Sequence, residues 1–248
     1  MRLEGPKWVL DGSPIEQLSF QREAYVGRPG WHGRSNYSDA QLCEILQLAL
    51  KRPTQLALHA VGDAETDRLL DMMRKLAPDD TWAARRVRIE HGDGMRADTL
   101  ASARRLDLVV VQNPTHLALP EMEGHSMLDH PSPLRSVLGA GVPLAFGSDG
   151  GAREQNPFLN LMLAIQYPGQ PAEALSREQA LLAYTAAAAF AERQEAHKGR
   201  IAPGLAADLA VLSQDLLTIP LPQFPATRSL LTLVDGLPIF EDAAALGQ

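Results

Sequence analysis

The sequence predicts an α/β fold, on three observations. Short apolar runs alternate with helical patterns from residue 38 to about 190, the signature of parallel strands joined by helical crossovers. His59 and His91, each at the end of such a run, are 32 residues apart, close to one unit of a (β/α)8 barrel. After residue 197 the texture changes to short β-rich runs broken by Gly, Pro and Asp. Residues 1–196 are therefore expected to form a partial (β/α) barrel, and residues 197–248 a segment of a C-terminal β-sandwich.

The elements follow in order. "PKWVL" near the start reads as a strand. Ser38 opens a helix with Gln41 at the capping-box position, and Leu42, Ile45, Leu46 and Ala49 recur on its apolar face. Residues 55–59 read as a strand that Gly62 and Asp63 turn into a helix over 64–76. "RRVRIEH" (85–91) is a strand, 97–105 a helix and "LDLVVVQ" (106–112) a strand. A short helix over 134–138 precedes the strand "VPLAFGSD" (142–149). Ser176, with Gln179 three positions on, caps a helix running to about Ala191. In the tail, Asp235-Gly236 marks a hairpin. These strands number five, and a closed barrel takes eight, so the pattern reads as strands four to eight.

The totals narrow the function. With 45% hydrophobic and 21% charged residues the chain has the composition of a globular protein. A net charge of −7 disfavours a nucleic-acid partner, since phosphates need a basic surface. No apolar run reaches the roughly 20 residues that span a bilayer, and "MRLEGPKWVLDG" lacks the apolar core of a secretory signal. A cytoplasmic protein is expected. Cys43, the single cysteine, lies among Leu42, Ile45 and Leu46 and reads as a buried structural thiol rather than a nucleophile.

Four polar residues, His59, His91, Gln112 and Asp149, fall at or just past the ends of successive strands, the edge on which α/β folds build their sites. Singly, each has a bland explanation: a hydrogen-bonded histidine, or an aspartate capping a turn. Together, two imidazoles and a carboxylate form a ligand set for a divalent metal such as zinc. His125 and His130 sit in a loop and read as solvated, as do His32 and His197.

"LALHAVGDAETDRLL", "RIEHGDGM", "VVVQNPTH", "LAFGSDGG", "NPFLNLMLAI" and "GRIAPGLAADLAVLSQD" resemble, in order and spacing, the later part of the amidohydrolase superfamily. The resemblance is greatest to amidohydrolase family 3, the branch of N-substituted formamide deformylase-like enzymes. It implies a metal-dependent hydrolase of amide, N-formyl or cyclic amide carbon–nitrogen bonds, acting through a metal-activated water on a small-molecule substrate. His59 and His91 would be metal ligands, and Asp149 a ligand that also relays the proton. Lys7 would match a lysine that many members carboxylate to bridge two metals, against its plain reading as a solvated lysine. Gln112, Asn113 and His116 would contact substrate, with zinc, one ion or two, as cofactor.

The family's His-x-His on strand one has no counterpart among the seven histidines. Two readings stay open: an amidohydrolase completed by a missing N-terminal half, or a truncated, catalytically incompetent fragment with a structural or associative role. A third is a metal-free barrel enzyme using its histidines as acid and base. A half-barrel would expose strand edges, so homo-oligomerisation or a partner is expected.

Overall fold

The computed structural model describes residues 5–118, 133–150, 155–168 and 170–246. Among these residues, five strands make one parallel sheet in chain order: β1 (Lys7–Val9), β2 (Ala57–Ala60), β3 (Arg88–His91), β4 (Val109–Gln112) and β5 (Leu144–Phe146). Sequential parallel pairing requires a crossover between each pair of neighbours, and helices supply most of them. They are α1 (Asp39–Lys51), α2 (Asp63–Leu76), α3 (Asp79–Ala83), α4 (Ala97–Arg105) and α5 (Leu134–Gly139). The capping box forms as expected, with the Ser38 hydroxyl accepting from the Gln41 amide.

One face of the sheet carries the main core. Leu58, Ile89, Val110 and Leu144 pack there with Leu42 and Leu46 of α1, Leu69, Leu70 and Met73 of α2, and Val137 of α5. Burying each such side chain contributes about 1.5–3 kcal/mol. The alternation puts Val109, Val111 and Ala145 on the other face, in a smaller cluster with Ala191. Ala191 ends α8 (Ala186–Ala191), which is separate from α7 (Arg177–Tyr184). One continuous helix was expected here. Thr185, at φ −119° and ψ −90°, breaks it, so the alanine-rich turn packs beneath β4 and β5. A helix with a weaker sequence signal, α6 (Pro157–Gln166), starts at Asn156, whose side chain accepts from Phe158 and Leu159.

The tail forms an antiparallel sheet of β6 (Leu209–Leu212), β7 (Ser229–Val234) and β8 (Leu237–Glu241), followed by α9 (Ala243–Leu246). Asp235 and Gly236, at φ 51° and 78°, make the hairpin turn. Among the described residues this is a single three-stranded layer. No helix among them is long and apolar enough to cross a membrane. Cys43 is half-buried rather than buried, because it falls at the margin of the apolar stripe of α1.

Candidate metal centre

The C-terminal ends of β2 to β5 bring most of the expected residues together. The His59 and His91 rings lie edge to face, with centroids 4.4 Å apart. His91 Nε2 is 3.4 Å from Asp149 Oδ2, and His116 stacks on His91 at 5.9 Å. One donor atom each from His91, His116 and Asp149 lies within 4.8 Å of the others. His116, expected to touch substrate, therefore joins the group that could hold an ion. Two of the three take left-handed backbone, His91 at φ 73° and Asp149 at φ 44°. For residues with a Cβ such conformations cost on the order of 1–3 kcal/mol and concentrate at functional sites.

The support around this group is local and specific. Asn113 points its amide at His91 Nδ1, 3.5 Å away. The turn that carries His116 is held by Asn160 of α6, whose Oδ1 accepts from Thr115 N at 2.8 Å. Asn160 also donates to the Tyr184 hydroxyl at 2.8 Å. Sequence reasoning missed Asn160, since an asparagine inside an apolar helix carries no local signal.

It also missed Asp11, fully buried two residues past β1. The Asp11 carboxylate accepts from Phe20 N, Val61 N and Gly62 N at 2.8–3.0 Å and lies 3.8 Å from His59 Nε2. Burial raises its pKa to about 7, against the pull of those three donors. The available signal was a carboxylate just after a strand, in "WVLDG".

Gln112 and Lys7 complete the expected residues. Gln112 shares the strand face of Val110, which packs into the main core, while Val111 lies on the opposite face. It is buried, and its Nε2 has no hydrogen-bond partner among the described residues. Lys7 is exposed at the start of β1, in register with Ala57 and one inward step before the level of His59. His125 and His130 lie outside the described residues. His32 is half-buried, near the Gln21 carbonyl, and His197 is exposed.

The electrostatics suit a cation. Burial lowers the pKa of both His59 and His91 to about 4. The charges of His91 and Lys7 add to the shift at His59, and those of His116 and Lys7 at His91, where Asp149 opposes them. Both rings are therefore neutral near pH 7, with lone pairs free for ligation. Two or three imidazole nitrogens and a carboxylate oxygen are a fitting donor set for a divalent ion.

The sequence pattern of the amidohydrolase family matches residues 2–240. The chain is 28% identical over 224 residues to Protein LONG AFTER FAR-RED 3 of Arabidopsis thaliana, covering 85% of this chain and 38% of that protein. It is 28% identical over 229 residues to N-substituted formamide deformylase of Arthrobacter pascens, covering 84% and 41%. Among solved structures, an uncharacterized metal-dependent hydrolase from Pyrococcus furiosus superposes with a TM-score of 0.77 at 24% identity, covering 88% of this chain and 46% of that one. The chain thus spans less than half the length of each of these three proteins. Along nearly all of its own length, the chain belongs to the amidohydrolase family.

Proposed function

We propose that this chain supplies strands four to eight of a metal-dependent barrel that hydrolyses non-peptide carbon–nitrogen bonds of the amide, N-formyl or cyclic amide class. The observation that carries it is the convergence of His91, His116 and Asp149 beside His59 at adjacent strand ends. A divalent cation held there, zinc by the chemistry of the donors, would polarise a carbonyl and acidify a water. The remaining work falls to the chain's own residues. His59 and His91, kept neutral by burial, offer lone pairs, and Asn113 orients His91. Asp149, with 42% of its side chain exposed, faces solvent where the substrate arrives. It takes the proton of the attacking water and delivers it to the departing nitrogen as the carbon–nitrogen bond breaks. Lys7 as a carbamate is an optional further ligand, and Asn113 is the nearer of the expected substrate contacts. A cytoplasmic setting and a small-molecule substrate fit this reading.

The deciding experiment is metal analysis of the purified protein combined with hydrolysis assays on N-formyl and N-acyl amines. Bound metal and hydrolysis that chelators abolish support the reading. Protein that hydrolyses these substrates without metal favours the acid–base reading instead.

A second reading has its own observation. β1 and β5 are the edges of the parallel sheet among the described residues, and Val9 in β1 is 44% exposed. Such edges favour self-association or a partner polypeptide. A chain that binds metal yet hydrolyses nothing until a second polypeptide is added would be one half of a divided enzyme. Inactivity under every condition would support the purely associative role.

A further inference from the structure

The geometry points to Asp11 as the positioning residue of His59, holding its ring as the Nε2–H tautomer and locking the turn that follows it. This builds on the proposed role of His59 as a ligand.

A carboxylate has about four lone-pair sites. At Asp11 three backbone N–H groups fill three of them: Phe20 at 3.0 Å, Val61 at 3.0 Å and Gly62 at 2.8 Å. Val61 and Gly62 directly follow the strand that ends after His59, so the carboxylate grips the backbone beside that ring. The oxygen that accepts from Val61 is also the one 3.8 Å from His59 Nε2. That nitrogen is buried and has no hydrogen-bond partner among the described residues. Three N–H donors favour the ionised form, and at pH 8 that carboxylate can only accept, so a bare ring nitrogen facing it would set lone pair against lone pair. A protonated nitrogen turns the same contact into an attraction. The other nitrogen, Nδ1, is then left with its lone pair. Partners of this kind set the tautomer and basicity of a ligating histidine.

Asp11 also ties the long segment between β1 and α1 to the site. Through Phe20 it draws that segment over the strand end, where a Cβ on Gly62 would stand 1.9 Å from the Phe20 carbonyl oxygen. A purely structural clasp would need these backbone contacts but no particular tautomer at His59, and this difference makes the role testable.

The test uses the full chain with isotope-labelled histidines at pH 8, the His59 ring signals being assigned by their loss in His59→Gln. Asp11→Asn places an amide that can donate where only an acceptor stood. The expected result is an Nε2–H ring in the unaltered protein and a shift toward the Nδ1–H ring in folded Asp11→Asn, with His91 unchanged. A wild-type ring in the Nδ1–H form overturns the proposal, as does a folded Asp11→Asn that keeps Nε2–H. If Asp11→Asn does not fold, the wild-type tautomer alone decides. Cobalt(II) titration followed by absorbance adds a second readout, with affinity falling roughly 10–100-fold in Asp11→Asn. A wild-type protein that binds no cobalt removes the hydrolase reading, while the tautomer still decides the role of Asp11.

Discussion

In the parallel sheet Leu58 and Ile89 are fully buried, whereas in the antiparallel sheet every residue of β8 is exposed, Leu237 by 70% and Ile239 by 65%. Both sheets are short-stranded and rich in aliphatic residues. They differ in their connections: crossover helices cover the first, while the tight turn from β7 to β8 and the long connection from β6 to β7 leave the second largely uncovered. A strand end can hold chemistry only where the body of the strand is clamped. The five-stranded sheet meets that condition, and the candidate metal centre sits on it.

The largest expected effect separates the sheets functionally. His91→Ala should abolish metal-dependent hydrolysis and cost more affinity than the roughly 10–100-fold typical of losing a partner to a ligand. Metal content after dialysis checks it, and retained stoichiometric metal would remove His91 from the site. Truncation of packing comes next. Leu58→Ala should lower unfolding free energy by about 2–5 kcal/mol in urea titrations.

Two glycines sharpen the contrast. At Gly62 an added Cβ meets the Phe20 carbonyl oxygen at 1.9 Å, so Gly62→Ala should cost about 3 kcal/mol or more. At Gly236 the nearest atom is 3.8 Å away and only the left-handed φ of 78° is strained, so Gly236→Ala should cost about 1–2 kcal/mol. Equal losses in chemical denaturation would contradict the clamp.

The buried titrating groups give a pH signature. His59 and His91 fall from 6.5 to about 4 on folding, so between those values the unfolded chain binds more protons and stability rises with pH. Asp11, raised to about 7, acts in the opposite sense as pH climbs from about 4 to 7. Glu65, also raised by burial, acts with Asp11, so the histidines are read as a difference: stability should rise less steeply from pH 4 to 6.5 in His59→Gln than in the unaltered protein. Equal slopes in the two proteins would reverse the assignment. Smallest of all, Leu237→Ala in β8 should change stability by no more than about 0.5 kcal/mol. A loss comparable to that of Leu58→Ala would mean that this face is covered in solution.

Much of the candidate site was legible because its residues punctuate strands. His59, His91 and Asp149 each end an apolar run, and Ser38 and Gln41 announce a helix in the same local way. Gln112 ends a run as well, but the side chain's face depends on where the pleat begins, which the four-residue buried run in β4 does not reveal. Asp11, Asn160 and Thr185 were illegible for a shared reason. Their roles are contacts with backbone or side chains 9 to 51 residues away for Asp11, a turn 45 residues away for Asn160, and a cluster beneath the sheet for the break at Thr185.

By itself the sequence determined the alternation of strands and helices, the parallel order that alternation implies, the hairpin at Asp235-Gly236 and the strand-end histidines. All of these are written in local periodicity, capping and turn chemistry. Only the tertiary structure decided that His116 stands with His91 and Asp149, that Gln112 faces the core, and that Asp11 lies against His59. Those outcomes depend on which distant groups share a desolvated space, and desolvation is a property of the packed molecule rather than of any segment of it.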